Sequence, residues 1–195
     1  MFIDLEQIPD FAWRGLERGA DDPSHPMRLL TLASVSPEGR PSARLMVNRG
    51  ADRRTGLVWM HSDCHSPKIA ELRSCPYACL VAWDGGRGVQ LRLSGSVRLH
   101  QRDKVSQSHW DQVERVAEWL HAEQDPIAAA GGSIDLRLPR DPEQLPHRIT
   151  SREHEQFVVI EVKVETIDWL QASPTKQTRA VMHAADGWRA VMLKD

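Results

Sequence analysis

The sequence contains few cysteines and no long apolar run. Its three cysteines, Cys64, Cys75 and Cys79, are an odd number in a chain of 195 residues, which is long enough to bury a core without a disulfide framework. We therefore expect reduced thiols in a cytoplasmic protein. No apolar run approaches the roughly 20 residues of a membrane helix. The N-terminus has no basic cluster ahead of an apolar segment, so no secretory signal is expected.

Motifs typical of several ligand classes are also missing. The formal net charge of −2 leaves no basic footprint for a nucleic acid. Without a GxGxxG or Walker motif, a phosphate-bearing ligand would not be bound in the Rossmann or P-loop manner. Cys75 and Cys79 have no second Cys/His pair at zinc-finger spacing, and the nine histidines form no HExxH sequence. No metal site is predicted.

The chain does contain a succession of short strand patterns separated by turn residues. Residues 89–99 alternate between apolar and polar side chains, with Gly95 as a candidate bulge, which is typical of a half-buried antiparallel strand. Residues 36–39 form a turn signal, and residues 186–187 mark a last hairpin turn. The predicted strands are residues 28–35, 41–49, 56–60, 78–83, 89–99, 157–164, 167–171, 178–182 and 188–193, with turns or loops at 50–55 and 61–65.

Helical periodicity is confined to a few segments. Residues 4–18 and 103–123 carry apolar side chains at helical spacing, and a short helix ends near Ser74. Residues 125–154 are rich in proline, glycine and charge, which predicts a long surface excursion. Many strands, few helices and short turns predict a mainly β protein, a closed or nearly closed antiparallel barrel in one domain of residues 1–195.

Ser66-Pro67-Lys68 is the first candidate for ligand chemistry. Serine before proline indicates a helix start, where unpaired N–H groups and the helix dipole attract anions. A hydroxyl and an ammonium group beside it would complete a phosphate site. The alternative is an ordinary capped surface helix.

Arg44, Arg49 and Gln90 are further candidates on predicted strands. The two arginines lie on opposite faces of a regular strand, so one could bind a phosphate while the other contacts the rest of a ligand or an interface. Arg49 could instead lie where the strand bends, and both arginines could simply be solvated. The amide of Gln90 can donate to and accept from the edge of a ring.

Taken in chain order, these segments resemble the pyridoxamine 5'-phosphate oxidase-like family of FMN-binding split barrels. The segments are MRLLTLASVSPEGRPSARLMVNRG, GLVWMHSDCHSPKIAELRSCP, ACLVAWDGGRGVQLRLSGSVRLH and, more loosely, DWLQASPTKQTRAVMHAADGWRAVMLKD. The second is similar to the family pattern G-f-x-f-x-T-d-x-x-S-x-K-x-x-e-L-x-x-n-P. The resemblance implies an antiparallel split β-barrel of Greek-key type with flanking helices. It also implies a homodimer with FMN at the interface.

The resemblance assigns roles by position. Arg44, Ser66 and Lys68 would hold the FMN phosphate. Arg49, where the family commonly has lysine, would contact the phosphate and the ribityl or ring region. The remaining implied contacts are Leu45, Met46, Val47 and Asn48 along the isoalloxazine through backbone groups, Met60 and His61 in place of an aromatic–threonine pair, Pro67 at the helix start, Gln90 toward the flavin, and Trp169 or Leu170 with Arg179 from the partner chain.

The implied activity is that of an FMN-dependent oxidoreductase, which takes a hydride from a small-molecule substrate or a reduced nicotinamide. Residues 174–178 replace the Arg-Leu-His substrate motif of the true oxidase, so FMN binding is better supported than oxidation of pyridoxamine phosphate. No catalytic base is assigned, and His61 is the nearest candidate. The alternative is a non-catalytic split barrel that carries flavin or binds heme.

Overall fold

The computed structural model describes residues 3–112, 151–173 and 177–193. Four α-helices lie in these ranges: α1 Ile8–Asp21, α2 Pro67–Ser74, α3 Lys104–Gln112 and α4 Ser151–Gln156. The second half of the predicted helix 103–123 and most of the predicted excursion 125–154 lie outside the described residues. None of the helices in the described part of the chain is long and apolar enough to cross a membrane.

The described residues form nine strands in one antiparallel sheet. The strands are β1 Leu29–Val35, β2 Pro41–Val47, β3 Gly50–Asp52, β4 Leu57–Asp63, β5 Tyr77–Asp84, β6 Val89–His100, β7 Phe157–Ala172, β8 Gln177–His183 and β9 Val191–Met192. Their hydrogen-bonded order is β2-β1-β5-β6-β7-β4-β3, with β8 added to β7 and β9 to β8.

The sheet closes on itself at two consecutive residues. The backbone N–H of Asn48 donates to Arg28 O at 2.8 Å, beside β1, and the N–H of Arg49 donates to Trp59 O at 2.9 Å, on β4. Because β2 and β3 stand at opposite ends of the strand order, this short link joins the two ends. The result is a nearly closed antiparallel barrel, in agreement with the closed or nearly closed barrel that the strand pattern predicted.

The side chain of Asn48 fastens this closure to α1. It is fully buried, and its amide nitrogen donates to Leu16 O at 2.7 Å and to Met27 O at 3.3 Å. Its oxygen accepts from the N–H of Gly50 at 3.2 Å. A short asparagine side chain thus satisfies three backbone groups where the chain turns from β2 into β3.

Several predicted boundaries were wrong, each because tertiary pairing extends a strand beyond its local signal. Residues 61–63 were expected in a loop, but β4 stays paired with β7 as far as Asp63. Residues 50–52 form β3 instead of a turn. The separate strands at 157–164 and 167–171 are one strand, β7, which changes partner from β4 to β8.

Boundaries near the chain ends and at the excursion also differ. A 3₁₀ turn, Leu5–Gln7, precedes α1, which begins at Ile8. Pro9 therefore lies in the first turn, where a backbone N–H would have no partner within the helix, so its lack of an N–H costs no helical hydrogen bond. Residues 151–154, expected in a loop, belong to α4. The last predicted strand shrinks to Val191–Met192. The predicted bulge is confirmed, because the β6–β7 register shifts between Ser94 and Gly95.

The main core fills the barrel and the space beneath α1. Trp13 of α1 packs against Trp188 with ring centroids 5.0 Å apart, and Phe11 packs edge-on against Trp169 at 5.2 Å. A second, smaller cluster lies outside the barrel under α3. It consists of Phe157 and Val159 with the half-buried Trp59 and Trp110.

We predict that Asn48→Ala destabilises the protein by about 2–4 kcal/mol, because it leaves buried backbone groups at the closure without partners. Urea unfolding followed by tryptophan fluorescence measures the change. Ser36→Ala, in the exposed turn between β1 and β2, is the matched control and should cost far less. An Asn48→Ala variant as stable as the control would contradict this account of the closure.

Candidate functional site

The start of α2 brings an ammonium group between two hydroxyls. Ser66 is the N-cap residue and Pro67 the first helical residue, as predicted. The Ser66 hydroxyl makes no capping hydrogen bond and instead accepts one from Lys68 Nζ. Lys68 Nζ also donates to Ser62 Oγ at 3.2 Å. The helix start is therefore a cluster of hydrogen-bond donors with one positive charge, which suits an anion.

Arg44 is attached to the same helix through an acid. Arg44 Nη2 lies 2.7 Å from Glu71 Oε2 and 2.5 Å from Ser42 Oγ, and Nη1 donates to Ser34 Oγ. Glu71 lies one turn after Lys68 on α2 and also accepts from Ser34 Oγ at 2.6 Å. Strands β1 and β2 thereby bring a guanidinium group against the helix that carries Lys68.

Glu71 is ionised in this environment. Burial raises the pKa of the Glu71 carboxyl. Hydrogen bonds from Ser34 and Arg44, together with the charge of Arg44, lower it by more, so the pKa lies below its usual value. At neutral pH the group formed by Arg44, Lys68 and Glu71 therefore keeps a net positive charge.

Arg49 lies at the barrel closure, beside Arg28. Burial and the neighbouring charge of Arg28 lower the pKa of Arg49 to about 10. Among the described residues no carboxylate pairs with it. A guanidinium that is partly removed from water and lacks a counter-charge favours a bound anion.

The side chains between Arg44 and Arg49 alternate between the two faces of β2. Met46 is buried in the core, Leu45 is exposed and Val47 is half-buried. The backbone N–H of Asn48 is already bonded to Arg28 O. Strand β2 pairs only with β1 in the described sheet, so its second edge offers backbone groups to a ligand.

A row of side chains on the outer face contains the other predicted contacts. Gln90 lies opposite Leu170, which lies opposite Arg179, so the three share one face of the sheet. Trp169 points the other way and is fully buried against Phe11. Of the two residues proposed for this position, only Leu170 can therefore contact a ligand on the outer face.

This outer row and the α2 cluster lie on opposite faces of the sheet. Arg44 pairs in register with Leu32, whose side chain is fully buried, so Arg44 shares the inner face. Gln90 pairs with Trp83 on the exposed outer face. One chain thus presents the predicted site residues as two separate groups.

A turn before α2 brings possible metal ligands together. One ligand atom each from Asp63, Cys64 and His65 lies within 4.8 Å of the others, where the sequence predicted no metal site. His65 is exposed, and its backbone N–H donates to Asp63 Oδ1 at 2.7 Å in an Asx turn. The turn itself accounts for the proximity of these three consecutive residues.

A family model for pyridoxamine 5'-phosphate oxidase matches residues 25–171, well over half of the chain. The chain belongs to the pyridoxamine 5'-phosphate oxidase family. Among curated relatives, the pyridoxine/pyridoxamine 5'-phosphate oxidase of Microcystis aeruginosa is 36% identical over 104 residues, 53% of this chain and 45% of the relative. That of Trichormus variabilis is 33% identical over 131 residues, 64% of this chain and 56% of the relative. The chain spans about half the length of these curated relatives.

Solved structures with the same fold include those of two further proteins. A pyridoxamine 5'-phosphate oxidase-related, FMN binding protein from Nostoc punctiforme has a TM-score of 0.60 at 22% identity, with both chains covered completely. PhzG from Burkholderia lata, in complex with tetrahydrophenazine-1-carboxylic acid, has a TM-score of 0.53 at 18% identity, over 86% of this chain and 82% of PhzG. This likeness confirms the predicted mainly β split-barrel fold.

The oxidase-family pattern T-d-x-x-S-x-K also identifies a residue that the sequence reasoning missed. Counted back from Ser66, its threonine position falls on Ser62, whereas Met60 and His61 had been assigned to the aromatic–threonine pair. Ser62 contacts Lys68, Met60 is buried in the core, and His61 lies on the opposite face of β4. His61 Nε2 is 3.1 Å from His109 Nδ1 on α3. The hydroxyl that contacts Lys68 on β4 is therefore that of Ser62, the residue after His61.

Asp168 holds Arg179 on the outer face of this oxidase-family chain. Its carboxylate is contacted by Arg179 at 3.1 and 2.5 Å and by Arg92 at 2.7 Å. Burial raises the pKa of Asp168, but the hydrogen bonds and charges of Arg179 and Arg92 outweigh it, so the pKa is lowered from its usual value.

We predict that Asp168→Asn destabilises the protein at pH 7 by about 1 kcal/mol, since both arginines are about half exposed and solvent screens the pairs. A folded-state pKa below the unfolded one gives stability that is complete above the unfolded value of about 3.8 and lost as the pH falls through the folded value. Urea unfolding of wild type and variant at neutral and strongly acidic pH should show the difference shrinking in acid. Exposed Asp4→Asn is the control, and a pH-independent difference would contradict the assignment.

Proposed function

We propose that this protein binds FMN and acts as an FMN-dependent oxidoreductase. The observation that supports this most directly is the ammonium group of Lys68 between the hydroxyls of Ser62 and Ser66, with Arg44 held on the same helix. This donor set suits the phosphate of FMN, which carries nearly two negative charges and several acceptor oxygens. The hydroxyl of Ser66 accepts from Lys68 and can therefore direct its own proton at a phosphate oxygen.

Arg49 supports the same proposal from the barrel closure. Its charge has no carboxylate partner in the described ranges, so a ligand with an anionic group would lower the free energy of this part of the protein. Arg49 would contact the phosphate or the ribityl and ring region. The edge of β2 from Leu45 to Val47 would meet the isoalloxazine through backbone groups.

We further propose that the site is completed in a homodimer. A flavin that is bound at α2 cannot contact Gln90, Leu170 and Arg179 of the same chain if these side chains lie on the opposite face of the sheet. A second copy could supply them. The outer face also exposes large apolar side chains, with Leu45 51%, Trp83 53% and Val191 51% exposed, as expected of a protein interface.

The chemistry would belong mainly to the cofactor, which accepts a hydride from a small-molecule substrate or a reduced nicotinamide. The protein's residues would hold the phosphate, orient the ring and place the donor. The relatives named pyridoxine/pyridoxamine 5'-phosphate oxidase and the FMN binding protein from Nostoc punctiforme support this class of activity. The Arg-Leu-His substrate motif is absent from residues 174–178, so the sequence does not identify the substrate.

An absorption spectrum and an anaerobic reduction assay test the activity. Protein reconstituted with FMN should show the flavin absorbance, and one of pyridoxamine phosphate, pyridoxine phosphate, NADH or NADPH should bleach it. Protein that binds no FMN would overturn the proposal. A bound flavin that none of these donors reduces would indicate a carrier.

We predict that Lys68→Ala weakens FMN binding about tenfold or more and leaves riboflavin binding nearly unchanged. Each charge-assisted hydrogen bond to the phosphate contributes on the order of 1.5–3 kcal/mol, and riboflavin has no phosphate. Flavin fluorescence titration measures both affinities. Lys104→Ala, at the exposed start of α3, is the matched control. Equal losses for the two flavins would refute the phosphate assignment.

We predict that Trp83→Arg dissociates the dimer, because it places a charge on the exposed apolar face, and that FMN affinity falls with it. Sedimentation velocity of wild type and variant measures the association. Leu5→Arg, at an exposed apolar residue near the N-terminus, is the control. A wild-type monomer that binds FMN tightly would show that the second copy is not needed.

A further inference from the structure

Glu71 is a buried acid beside the proposed phosphate site. It lies on α2 one turn after Lys68 and is 7% exposed. Buried acidic side chains are rare unless they are paired. Its lowered pKa, for the reasons given above, keeps it charged at neutral pH.

Its contacts connect three elements. Glu71 Oε2 accepts from Ser34 Oγ of β1 at 2.6 Å and from Arg44 Nη2 of β2 at 2.7 Å. Arg44 also bonds to the hydroxyls of Ser34 and Ser42. The side chains of Glu71 and Arg44 are 10% and 21% exposed, so this network is largely shielded from water. Hydrogen bonds between ionised groups in such surroundings fix geometry strongly.

Charge alone would make Glu71 unfavourable for FMN, because a carboxylate repels a phosphate. Orientation has the opposite effect. The arginine side chain has several rotatable bonds and loses much conformational entropy when it is fixed. With Glu71 in place, the guanidinium is already fixed against the helix that carries Lys68, so that cost does not fall on ligand binding.

We infer that Glu71 is a positioning residue of the flavin site. It holds the Arg44 guanidinium against α2 so that Arg44 and Lys68 act on the same phosphate. This inference rests on the proposed function. It predicts that FMN affinity depends more on the length of the Glu71 side chain, which sets the reach to Arg44, than on its charge.

Two substitutions separate length from charge. Glu71→Gln keeps the length and an acceptor oxygen but removes the charge, whereas Glu71→Asp keeps the charge but shortens the reach. We expect Glu71→Asp to lower FMN affinity about tenfold, with riboflavin affinity nearly unchanged. Glu71→Gln should remain within about threefold of wild type for both flavins. Fluorescence titration gives the FMN-to-riboflavin affinity ratio, which a purely structural role would not change.

Asp84→Asn is the matched control. Asp84 is also a buried acid paired with an arginine, Arg87, at 2.9 Å, but it lies at the end of β5 and contacts neither α2 nor Arg44. Its substitution should leave the affinity ratio unchanged, whatever its effect on the melting temperature. Comparing the variants at equal fraction folded removes the effect of stability.

Three outcomes would overturn the inference. Tighter FMN binding by Glu71→Gln, with Glu71→Asp unchanged, would show that the carboxylate acts only by repulsion. Equal changes in FMN and riboflavin affinity would show that it only supports the fold. A wild-type protein that binds no flavin would overturn the proposed function itself, whereas the first two outcomes leave that function standing.

Discussion

The barrel depends on the backbone hydrogen bonds of Asn48 and Arg49. One N–H is bonded beside β1 and the next on β4, so two adjacent residues join the ends of the strand order. This closure fixes where β2 ends relative to β4. The position of β2 sets Arg44 on one side, and the position of β4 sets Ser62 and the turn into α2 on the other. Arg44 and Ser62 thereby contact side chains of the same helix, α2, although they come from different strands.

Charge compensation distinguishes Arg44, on β2, from Arg49, which follows the end of that strand. Arg44 has an acid, Glu71, and two hydroxyls around it, so its charge is satisfied before any ligand arrives. Arg49 is partly buried and lies near a second guanidinium, that of Arg28. No carboxylate among the described residues pairs with it. The first arrangement favours a fixed geometry and the second favours an incoming anion. A ligand that contacts both would meet one group already oriented and one still uncompensated.

Much of the fold could be predicted because local patterns carry it. Alternation identified β6 and its bulge, and serine before proline located the start of α2. The errors share one cause: a strand's face and length depend on its partners. Ser62 was missed because polar residues at the end of β4 suggest a loop until β7 is seen to pair with them. Trp169 could be excluded only when the buried face of β7 was known, and no local signal pairs Glu71 with Arg44.

The division of the site between two faces follows from the alternation of side chains in a strand. Arg44 and Leu45 are neighbours in sequence, yet one points toward α2 and the other toward the exposed outer face. A single sheet cannot aim both faces at one ligand. A flavin that required both groups would have to lie where the edge of one barrel meets the outer face of another. The apolar side chains on that face and the arginine held by Asp168 are suited to such a contact, because the first favour burial and the second keeps its position without a ligand.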